Sequence, residues 1–524
     1  MGLRSFISPL NLAARQANIH QAGAPERLRD SVCSIVRCVA LMKRVFSNPI
    51  VTLAAGLGLR LYFVLKFPGN SGDTVLYEEI ATNWLKHHIY GMTVGGQITP
   101  VDLRMPGYPA FLAIIYALTG RTGAEARLWV MLAQIAVDLL TCLVIARLAS
   151  LLLCASEDSA PGQRVQSISL WLAAWCPFTA NYTAVPLTEV FATFWTALAC
   201  CALVIALRRV SKPDFLLKSA HPPLRKSAEY MALGAGLIVG VGTLFRPEAP
   251  LLLVAAAGVF GGLLFLRGNY RRWVWVCLAL ALGCALILSP WAIRNMMTLG
   301  ESQFLAPKNS NLPGELVPHG FMAWEKTWLF RVRDCYLVPW RLNEEAIFVD
   351  DIPARAFDSS EEKERVAMIL EQYNNDLTLT PEEDTAFGQL ASERSSHHPL
   401  RTYLWLPAAR AVTIWFTPRI ELLPVSGHVF PLAQMREDDP VDQEVTSLFF
   451  VLNVFYVGLG IWGAARLWLS NPAARAAIAF LVLFMALRTA FLTTLETPEP
   501  RYVLVCFPAM IALGAQVFTH RPGA

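Results

Sequence analysis

Acidic and basic side chains stand at the ends of long apolar stretches in this 524-residue chain. The most prominent are Asp73, Glu189, Arg246, Arg294 and Arg501. A carboxylate in such a place can accept a proton or bind a divalent cation, and a guanidinium group can bind a phosphate through two hydrogen bonds. The same residue types are also ordinary there, because Asp caps helices and Arg extends towards the polar edge of a membrane. The elements that carry these residues must decide between the two interpretations.

The composition leaves two broad classes of protein. Hydrophobic residues make up 55% of the chain and charged residues 16%, against roughly 25% charged in a soluble domain. The formal net charge is only +4. This excludes a disordered chain and a nucleic-acid binder held by bulk charge, and 11 cysteines are too few for a disulfide-stapled module. A large soluble protein or a polytopic membrane protein remains.

Apolar segments of sufficient length indicate the membrane protein. A helix needs about 20 mostly apolar residues to cross the hydrocarbon core. Ten segments qualify, at 49–67, 127–153, 167–182, 187–207, 230–245, 249–266, 273–293, 445–465, 474–492 and 502–518. The shorter ones could also be buried or re-entrant helices. The sequence therefore predicts an all-α polytopic membrane protein with about ten transmembrane helices.

The loop cations orient these spans, because Lys and Arg resist translocation. They are Lys43, Arg44, Arg208, Arg209, Lys212, Lys218, Arg225, Lys226, Arg267, Arg271, Arg272, Arg466 and Arg475. When ten spans alternate from a cytoplasmic N-terminus, every one of them falls on the inner side. We therefore expect a plasma (inner) membrane protein with both termini cytoplasmic and two long outer segments.

This topology divides the chain into four regions. They are a cytoplasmic tail at 1–48, a transmembrane core at 49–293 with an outer loop at 68–126, an extracytoplasmic loop or domain at 294–446, and C-terminal helices with a short tail at 447–524. Residues 1–41 are basic and have no apolar signal segment. We expect either that the gene has been predicted too long and that translation begins at Met42, or that these residues form a dispensable tail.

Two helices are predicted within the long extracytoplasmic region. Residues 358–375 are acidic, with apolar residues at helical spacing, and this pattern is typical of a surface helix. Residues 403–416 are rich in aromatic residues but too short to span, which favours an interfacial or re-entrant helix.

The first outer loop carries motifs that resemble a known family. Asp73 stands in Ser71-Gly72-Asp73-Thr74, an amphipathic helix follows with Tyr77 and Ala81, and then comes Arg104-Met105-Pro106-Gly107-Tyr108-Pro109. Alone, Asp73 is best explained as a helix N-cap. Together with the single preceding span, the loop resembles membrane glycosyltransferases of the GT-C fold. The family 39-like group is the most similar, with its protein O-mannosyltransferases, lipid A aminoarabinose transferases and lipopolysaccharide-core transferases.

Later turns fit the same pattern and extend the resemblance from residue 48 to about 300 and over the C-terminal spans. They are Thr188-Glu189, Phe245-Arg246-Pro247-Glu248, Pro290-Trp291-Ala292-Ile293-Arg294-Asn295 and Glu496-Thr497-Pro498-Glu499-Pro500-Arg501-Tyr502. Each alone is explained by capping or by an interfacial Arg, but the cation bias predicts all of them on one side. Residues 302–442 match no motif of the family.

The resemblance implies a polyprenyl-phosphate sugar donor, an acceptor hydroxyl and an extracytoplasmic active site. It implies Asp73 as the base or acceptor-orienting carboxylate, and Glu189 as a second acidic residue for acceptor positioning or metal. It also implies residues that contact the phosphate or another part of the substrate. These are Arg104, Tyr108, Arg246, Glu248, Arg294, Arg501 and Tyr502. The acceptor class, whether lipid, glycan or protein, stays open, and no nucleic-acid partner is expected. A divalent cation, Mg²⁺ or Mn²⁺, is likewise left open, because members of the fold differ in metal use.

Other charged residues have structural explanations. Arg60 and Asp138 lie inside spans and could form a buried pair, since lone charges are costly in lipid. The pairs His87-His88 and His397-His398 are poor metal sites, because adjacent side chains on a helix diverge by about 100°. Two other functions remain, a transporter or flippase of a lipid-linked substrate and a membrane scaffold. A transporter would favour internal repeats, and the sequence shows none.

Overall fold

The computed structural model of the chain describes residues 47–153, 159–210, 222–265, 268–307, 315–425 and 440–519. Across these ranges the two strands are short, at Gly91–Val94 (β1) and Gln97–Pro100 (β2), and they form one antiparallel hairpin that pairs Gly91 with Pro100. All longer elements in the same ranges are helical. The predicted all-α class is confirmed. The proposed tail at 1–41 lies outside the described residues.

The first ten helices lie between residues 49 and 299. They are α1 (Pro49–Lys66), α2 (Gly72–His87), α3 (Gly107–Thr119), α4 (Arg127–Leu153), α5 (Ala160–Ala174), α6 (Pro177–Asn181), α7 (Glu189–Val210), α8 (Pro222–Thr243), α9 (Leu251–Phe260) and α10 (Tyr270–Leu299). The later ones are α11 (His319–Lys326), α12 (Val332–Cys335), α13 (Ser360–Asp376), α14 (Pro381–His397), α15 (Leu406–Phe416), α16 (Pro440–Ser470), α17 (Arg475–Leu492) and α18 (Phe507–Gly514).

Seven helical stretches in the described ranges are long and apolar enough to cross a membrane. They are Pro49–Lys66, Gly123–Leu153, Glu189–Val210, Tyr270–Leu299, Pro440–Ser470, Pro472–Leu492 and Pro500–Phe518. Each corresponds to a predicted span. Two further predicted spans, 230–245 and 249–266, correspond to shorter apolar helices at Ala228–Thr243 and Leu251–Phe265. A polytopic bundle of roughly ten apolar helices is therefore what the chain builds.

The predicted span at 167–182 is wrong as one continuous helix. Helix α5 ends at Ala174, Cys176 is extended with ψ of 107°, and Pro177 begins the short helix α6. Proline disfavours helical geometry at the preceding residue and lacks the N–H that a continuing helix needs. A break at Pro177 follows. The apolar helix α3 (Gly107–Thr119), by contrast, lies where the sequence suggested only a turn.

Buried polar contacts and small residues hold the bundle together. Arg60 and Asp138 form an ion pair of 2.5 Å, and both side chains are fully buried. The Arg60 guanidinium also donates to the carbonyl oxygens of Gly56 and Ala174. Helices α8 and α10 approach so closely that a Cβ atom on Gly236 would lie 2.2 Å from a backbone oxygen of α10. Glycine is therefore needed at that crossing.

The residues at 315–425, called the polar segment below, have a hydrophobic cluster of their own. Its buried members include Phe321, Trp324, Trp328, Val366, Leu370, Tyr373, Phe387 and Leu390. Ser359 caps α13, which corresponds to the surface helix predicted at 358–375. The aromatic stretch predicted at 403–416 forms a π-helical turn, Arg401–Trp405, followed by α15. The side chains of Tyr403 and Trp405 are exposed there.

Candidate active site

Charged residues from distant parts of the chain converge on one cavity of about 210 Å³. Its charged and phenolic lining consists of Asp73, Tyr77, Arg104, Glu189, Arg246, Glu248, Arg501 and Tyr502. Asp73 and Arg501 are 428 positions apart in the sequence and in contact in the structure. The structure thus brings together seven of the nine residues singled out from the motifs, and it adds Tyr77.

The first turn of α2 places Asp73 in the cavity. Ser71 is the N-cap of this helix, and its backbone N–H donates to Thr74 Oγ1 over 3.1 Å. Asp73 is therefore not the cap, and its carboxylate is available for other contacts. Oδ1 accepts a hydrogen bond from Arg104 Nη2 at 2.7 Å, and Oδ2 accepts one from Arg501 Nη2 at 3.1 Å.

These guanidinium groups set the charge state of Asp73. Burial raises the pKa of its carboxyl group, but Arg501, Arg104 and Arg246 together outweigh burial, and the pKa lies below the usual value. Nearby opposite charges favour the ionised form of a carboxyl group in this way. Burial raises the pKa of Tyr77 to about 12, so the Tyr77 hydroxyl keeps its proton near neutral pH. Asp73 is thus the ionised group and Tyr77 the neutral one.

Glu189 and Glu248 flank Arg246 at the start of α7 and before α9. Arg246 Nη2 forms a short ion pair with Glu189 Oε1, and Nη1 lies 3.9 Å from Glu248 Oε1. Burial raises the pKa of Glu248, but Arg488 and Arg246 lower it more. The second oxygens, Glu189 Oε2 and Glu248 Oε2, are buried and have no hydrogen-bond partner among the described residues. Buried polar atoms are usually paired, so two acceptors at the cavity stand ready for a donor.

Arg501 connects the carboxylates of the cavity. Its Nε lies 2.5 Å from Glu499 Oε2 and 3.9 Å from Glu189 Oε1, in addition to the Asp73 contact. The backbone that carries it is fixed by two buried arginines. Arg419 Nη1 donates to the Pro500 carbonyl oxygen at 2.7 Å, and Arg488 Nε donates to that of Tyr502 at 2.8 Å.

A glycine brings the arginine-bearing turns together. The Gly107 N–H donates to the Leu244 carbonyl oxygen at 2.8 Å. A Cβ atom at Gly107 would lie 2.6 Å from the same oxygen, which is too close for any other residue. The turn after Arg104 and the turn before Arg246 can therefore meet only because position 107 is glycine.

Two of the residues singled out from the sequence lie elsewhere. Tyr108 is fully buried, and its hydroxyl donates to Gln134 Oε1 at 2.8 Å. Arg294 donates to the carbonyl oxygens of Val101 and Tyr90, at 2.8 and 2.7 Å, and so holds the ends of the hairpin. Neither lines the cavity. Their contacts explain them as structural residues, and a substrate role for either has no geometric support.

The side chains present do not form a typical divalent-cation site. Among the described residues no group of three or more His, Cys, Asp or Glu side chains could hold a metal ion. Asp73, Glu189 and Glu248 each face at least one guanidinium group. Mg²⁺ or Mn²⁺ would have to displace these guanidiniums from the carboxylates, so the donor set fits arginine pairs better than a metal.

Residues to which the sequence assigned no role complete the site. From the sequence alone, Tyr77, Glu499, Arg419 and Arg488 were not assigned to this region. Glu499 stood within a quoted turn, so proximity to Arg501 was its one available signal. Arg419 had none, because it lies in the polar segment, which matches no known motif.

Comparison with known proteins gives only weak structural similarity. No protein-family model and no curated protein matches the chain. Among solved structures, the oligosaccharyltransferase of Archaeoglobus fulgidus tethered to an acceptor peptide is 13% identical, with a TM-score of 0.45, over 89% of this chain and 49% of that one. The archaeal oligosaccharyltransferase AglB from the same organism, in complex with an inhibitory peptide and a dolichol-phosphate, is 12% identical, with a TM-score of 0.44, over 89% of this chain and 50% of that one.

A bacterial transferase is similar at the same level. ArnT from Cupriavidus metallidurans, bound to undecaprenyl phosphate, is 12% identical, with a TM-score of 0.36, over 89% of this chain and 77% of that one. The chain thus spans about half the length of the oligosaccharyltransferase. AglB and ArnT are membrane glycosyltransferases of the GT-C fold, the group that the motifs resemble. At such low identities and TM-scores the likeness does not indicate a reaction, and only the cavity residues can do so.

Proposed function

We propose that the chain is an integral membrane glycosyltransferase of the GT-C type. It transfers a sugar from a polyprenyl-phosphate donor to an acceptor hydroxyl at the extracytoplasmic face. One observation carries the proposal: an ionised carboxylate, Asp73, lies in contact with two arginines in a single cavity at the ends of apolar helices. Sugar transfer from a lipid phosphate needs both a base and cations for the leaving phosphate.

The reaction assigns a role to each kind of group. The acceptor oxygen attacks the anomeric carbon while the bond from that carbon to the phosphate oxygen breaks. The bonding electrons leave with the lipid phosphate, and Asp73 takes the proton of the acceptor hydroxyl. Arg104, Arg246 and Arg501 stabilise the charge on the departing phosphate, because one guanidinium group can donate two parallel hydrogen bonds to phosphate oxygens.

Donor binding also prepares the base. Without donor, Arg104 and Arg501 both donate to the Asp73 carboxylate, which holds its pKa low and makes it a weak base. A phosphate in the cavity competes for the same guanidinium groups. As they turn to the phosphate, the pKa of Asp73 rises towards the value that its burial favours. Asp73 therefore becomes an effective base only when the donor is present.

Glu189 and Glu248 suit the positioning of hydroxyl groups. Each has one buried carboxylate oxygen with no partner among the described residues, and each holds its other oxygen towards Arg246. A hydroxyl of the transferred sugar or of the acceptor can donate to such an oxygen. We assign both residues to substrate orientation and leave proton transfer to Asp73.

A transfer assay with reconstituted protein tests this function. The full chain in proteoliposomes is supplied with a radiolabelled polyprenyl-phosphate sugar and an envelope fraction as acceptor. We expect transfer, and a loss of about 100-fold or more in Asp73→Asn and Arg501→Ala. Matched controls are Asp350→Asn and Arg365→Ala, since both side chains are exposed and lie outside the cavity.

The same assay distinguishes the transferase from the alternative function, a transporter of the lipid-linked sugar. If the labelled lipid crosses the bilayer without any sugar transfer, the chain is a transporter and the proposal is wrong. If the Asp73 and Arg501 variants transfer sugar as fast as the parent, the site assignment is wrong even though the activity stands.

A further inference from the structure

The π-helical turn Arg401–Trp405 and helix α15 carry their polar and apolar side chains the wrong way round for a helix in water. The side chains exposed between residues 403 and 416 are all aromatic or aliphatic, namely Tyr403, Leu404, Trp405, Ala408, Val412 and Phe416. Four of them recur at intervals of four residues, from Leu404 to Phe416, and so form one stripe along the helix. Arg410, the one charged residue of α15, is by contrast only 3% exposed. A helix at a water-exposed surface buries its apolar face and exposes its charges.

Arg410 finds its partners in the backbone of neighbouring elements. Its Nε donates to the Leu329 carbonyl oxygen at 2.9 Å, Nη2 to that of Lys326 at 2.6 Å, and Nη1 to that of Thr493 at 3.3 Å. Thr493 directly follows the spanning helix α17. The charged face of α15 is thus attached to the polar segment and to the end of a span, while its apolar stripe is left uncovered.

The end of α15 contacts two spanning helices within their apolar parts. Trp415 Nε1 donates to Thr489 Oγ1 of α17 at 2.9 Å, and Asn453 Nδ2 of α16 donates to the Trp415 carbonyl oxygen at 2.6 Å. Asn453 lies nine positions after Glu444, the last charged residue before it, which corresponds to about 13 Å along the helix axis. The hydrocarbon core of a bilayer is about 30 Å thick. The end of α15 therefore lies at the depth of the hydrocarbon.

Exposed apolar side chains elsewhere in the polar segment stand beside charges. Phe348 is 57% exposed, but Asp350 is two residues away, and its side chain is 86% exposed. Met368 is 59% exposed on α13, between the exposed Glu364 and Glu371 on the same helix face. These positions are typical of a surface in water. The stripe on α15 differs from them because its exposed members include no charged side chain.

We propose that α15, with the π-helical turn before it, enters the lipid leaflet on the side of the cavity, and that acyl chains cover its apolar stripe. Acyl chains match a surface of rings and aliphatic groups without an exposed charge. Tyr403 and Trp405, at the start of the stripe, suit the headgroup region, where both residue types are enriched. Burial of Arg410 against carbonyl oxygens keeps the one charge of α15 out of the hydrocarbon. This lipid contact goes beyond the proposed reaction and does not depend on it.

Helix α15 also supports the turn that carries Arg501. Ile414 is buried in one cluster with Leu492 and Val503. Tyr502, which lines the cavity, packs against the same cluster. Because Tyr502 and Val503 directly follow Arg501 in the chain, α15 and the turn form one packed unit. We therefore expect lipid on the outer face of α15 to keep Arg501 and Tyr502 in place at the cavity.

Photolabelling from the lipid tests the contact. The full chain is placed in nanodiscs of phosphatidylethanolamine and phosphatidylglycerol, together with phosphatidylglycerol that carries a diazirine in its acyl chain. After irradiation, trypsin releases the peptides 402–410 and 411–419, and their lipid adducts are measured by mass spectrometry. We expect adducts on both peptides. The matched control is the peptide 342–355, which contains the exposed Phe348 and should stay at background.

Two results of the labelling would overturn the proposal. One is labelling of 342–355 as strong as that of 411–419, since the stripe would then not be a particular lipid contact. The other is a lack of adducts on 411–419. If light scattering also shows that such unlabelled chains are dimeric, a second copy covers the stripe instead of lipid.

A charge on the stripe tests the link to the cavity. Val412→Asp places a carboxylate where acyl chains pack, so we expect adducts on 411–419 to fall about fivefold or more and sugar transfer about tenfold. Val412→Leu keeps the stripe apolar and should retain both. Phe348→Asp, an exposed substitution outside the stripe, should also retain both. The labelling of the parent needs no variant, so the lipid contact is tested even if Val412→Asp does not fold.

The two experiments separate this inference from the proposed function. The labelling needs no sugar donor. A parent that is labelled on 411–419 but transfers no sugar would support the lipid contact and contradict the transferase. If Val412→Asp lost its adducts but transferred sugar at the parental rate, the transferase would stand and the support of Arg501 by lipid-bound α15 would be wrong.

Discussion

Asp73 and Arg501 meet across 428 positions of sequence, and Arg501 Nη2 donates to Asp73 Oδ2 at 3.1 Å. The first residue lies in the opening turn of α2, and the second lies in the turn that precedes α18. Because Arg104 holds the other oxygen of the same carboxylate, the two arginines together favour the ionised form of Asp73. In the proposed reaction, the strength of Asp73 as a base therefore depends on what the two arginines bind.

The pH dependence of transfer should report this contact. Removing Arg501 takes away one of the charges that lower the pKa of Asp73, while burial, which raises the pKa, remains. In Arg501→Gln the pKa of Asp73 should rise, so the acidic limb of the kcat/KM profile should move to higher pH. Arg501 thus keeps the base ionised at low pH, and its loss narrows the active range from the acidic side.

The profile is measured with the free enzyme at subsaturating acceptor, because kcat/KM reports ionisations of the free protein. Arg365→Gln, an exposed substitution outside the cavity, is the control and should keep the parental profile. An unchanged acidic limb in Arg501→Gln would show that Asp73 is not the group that limits the rate at low pH.

Arg419 should affect the reaction through Arg501 without touching substrate. It is buried, forms no ion pair with a carboxylate of the described residues, and donates to Asn453 Oδ1 and to the Pro500 carbonyl oxygen. Arg419→Gln frees the turn that carries Arg501, so we expect kcat to fall about tenfold or more and the acidic limb to move in the direction seen for Arg501→Gln. A purely structural role would lower the amount of folded protein and leave the pH profile unchanged.

The buried pair of Arg60 and Asp138 should matter for stability and not for chemistry. Asp138→Asn leaves the Arg60 charge buried without its partner, which costs about 3–5 kcal/mol. Thermal unfolding of the detergent-solubilised protein should show a large loss. Breaking the exposed pair Arg365–Glu393 should change stability by about 1 kcal/mol or less. If Asp138→Asn and the breaking of the Arg365–Glu393 pair lowered thermal stability equally, the structural importance of the buried pair would be contradicted.

How far the sequence predicts this molecule depends on how local each signal is. The spans were predictable because a membrane requires continuous apolar helices, and the break at Pro177 was visible in the sequence but not used. The grouping of Asp73 with Arg501 followed from the alternation of helix ends. The sequence could not show that the side chains of Tyr108 and Arg294 lie outside the cavity, because a motif does not indicate which way a side chain faces. Arg419 and the contacts of α15 depend on the packing of the polar segment, which no motif describes.

Gly107 should be essential for bringing Arg104 and Arg246 to the same cavity. In Gly107→Ala the new Cβ would lie 2.6 Å from the Leu244 carbonyl oxygen and would push the two turns apart. We expect transfer to fall about 100-fold, because misplaced charged groups no longer stabilise the leaving phosphate. The matched control is Gly458→Ala, where the added Cβ meets nothing within 4 Å and helix propensity improves. Unfolding temperature and transfer rate are measured for both, and full activity in Gly107→Ala would show that the approach of the two turns is not required.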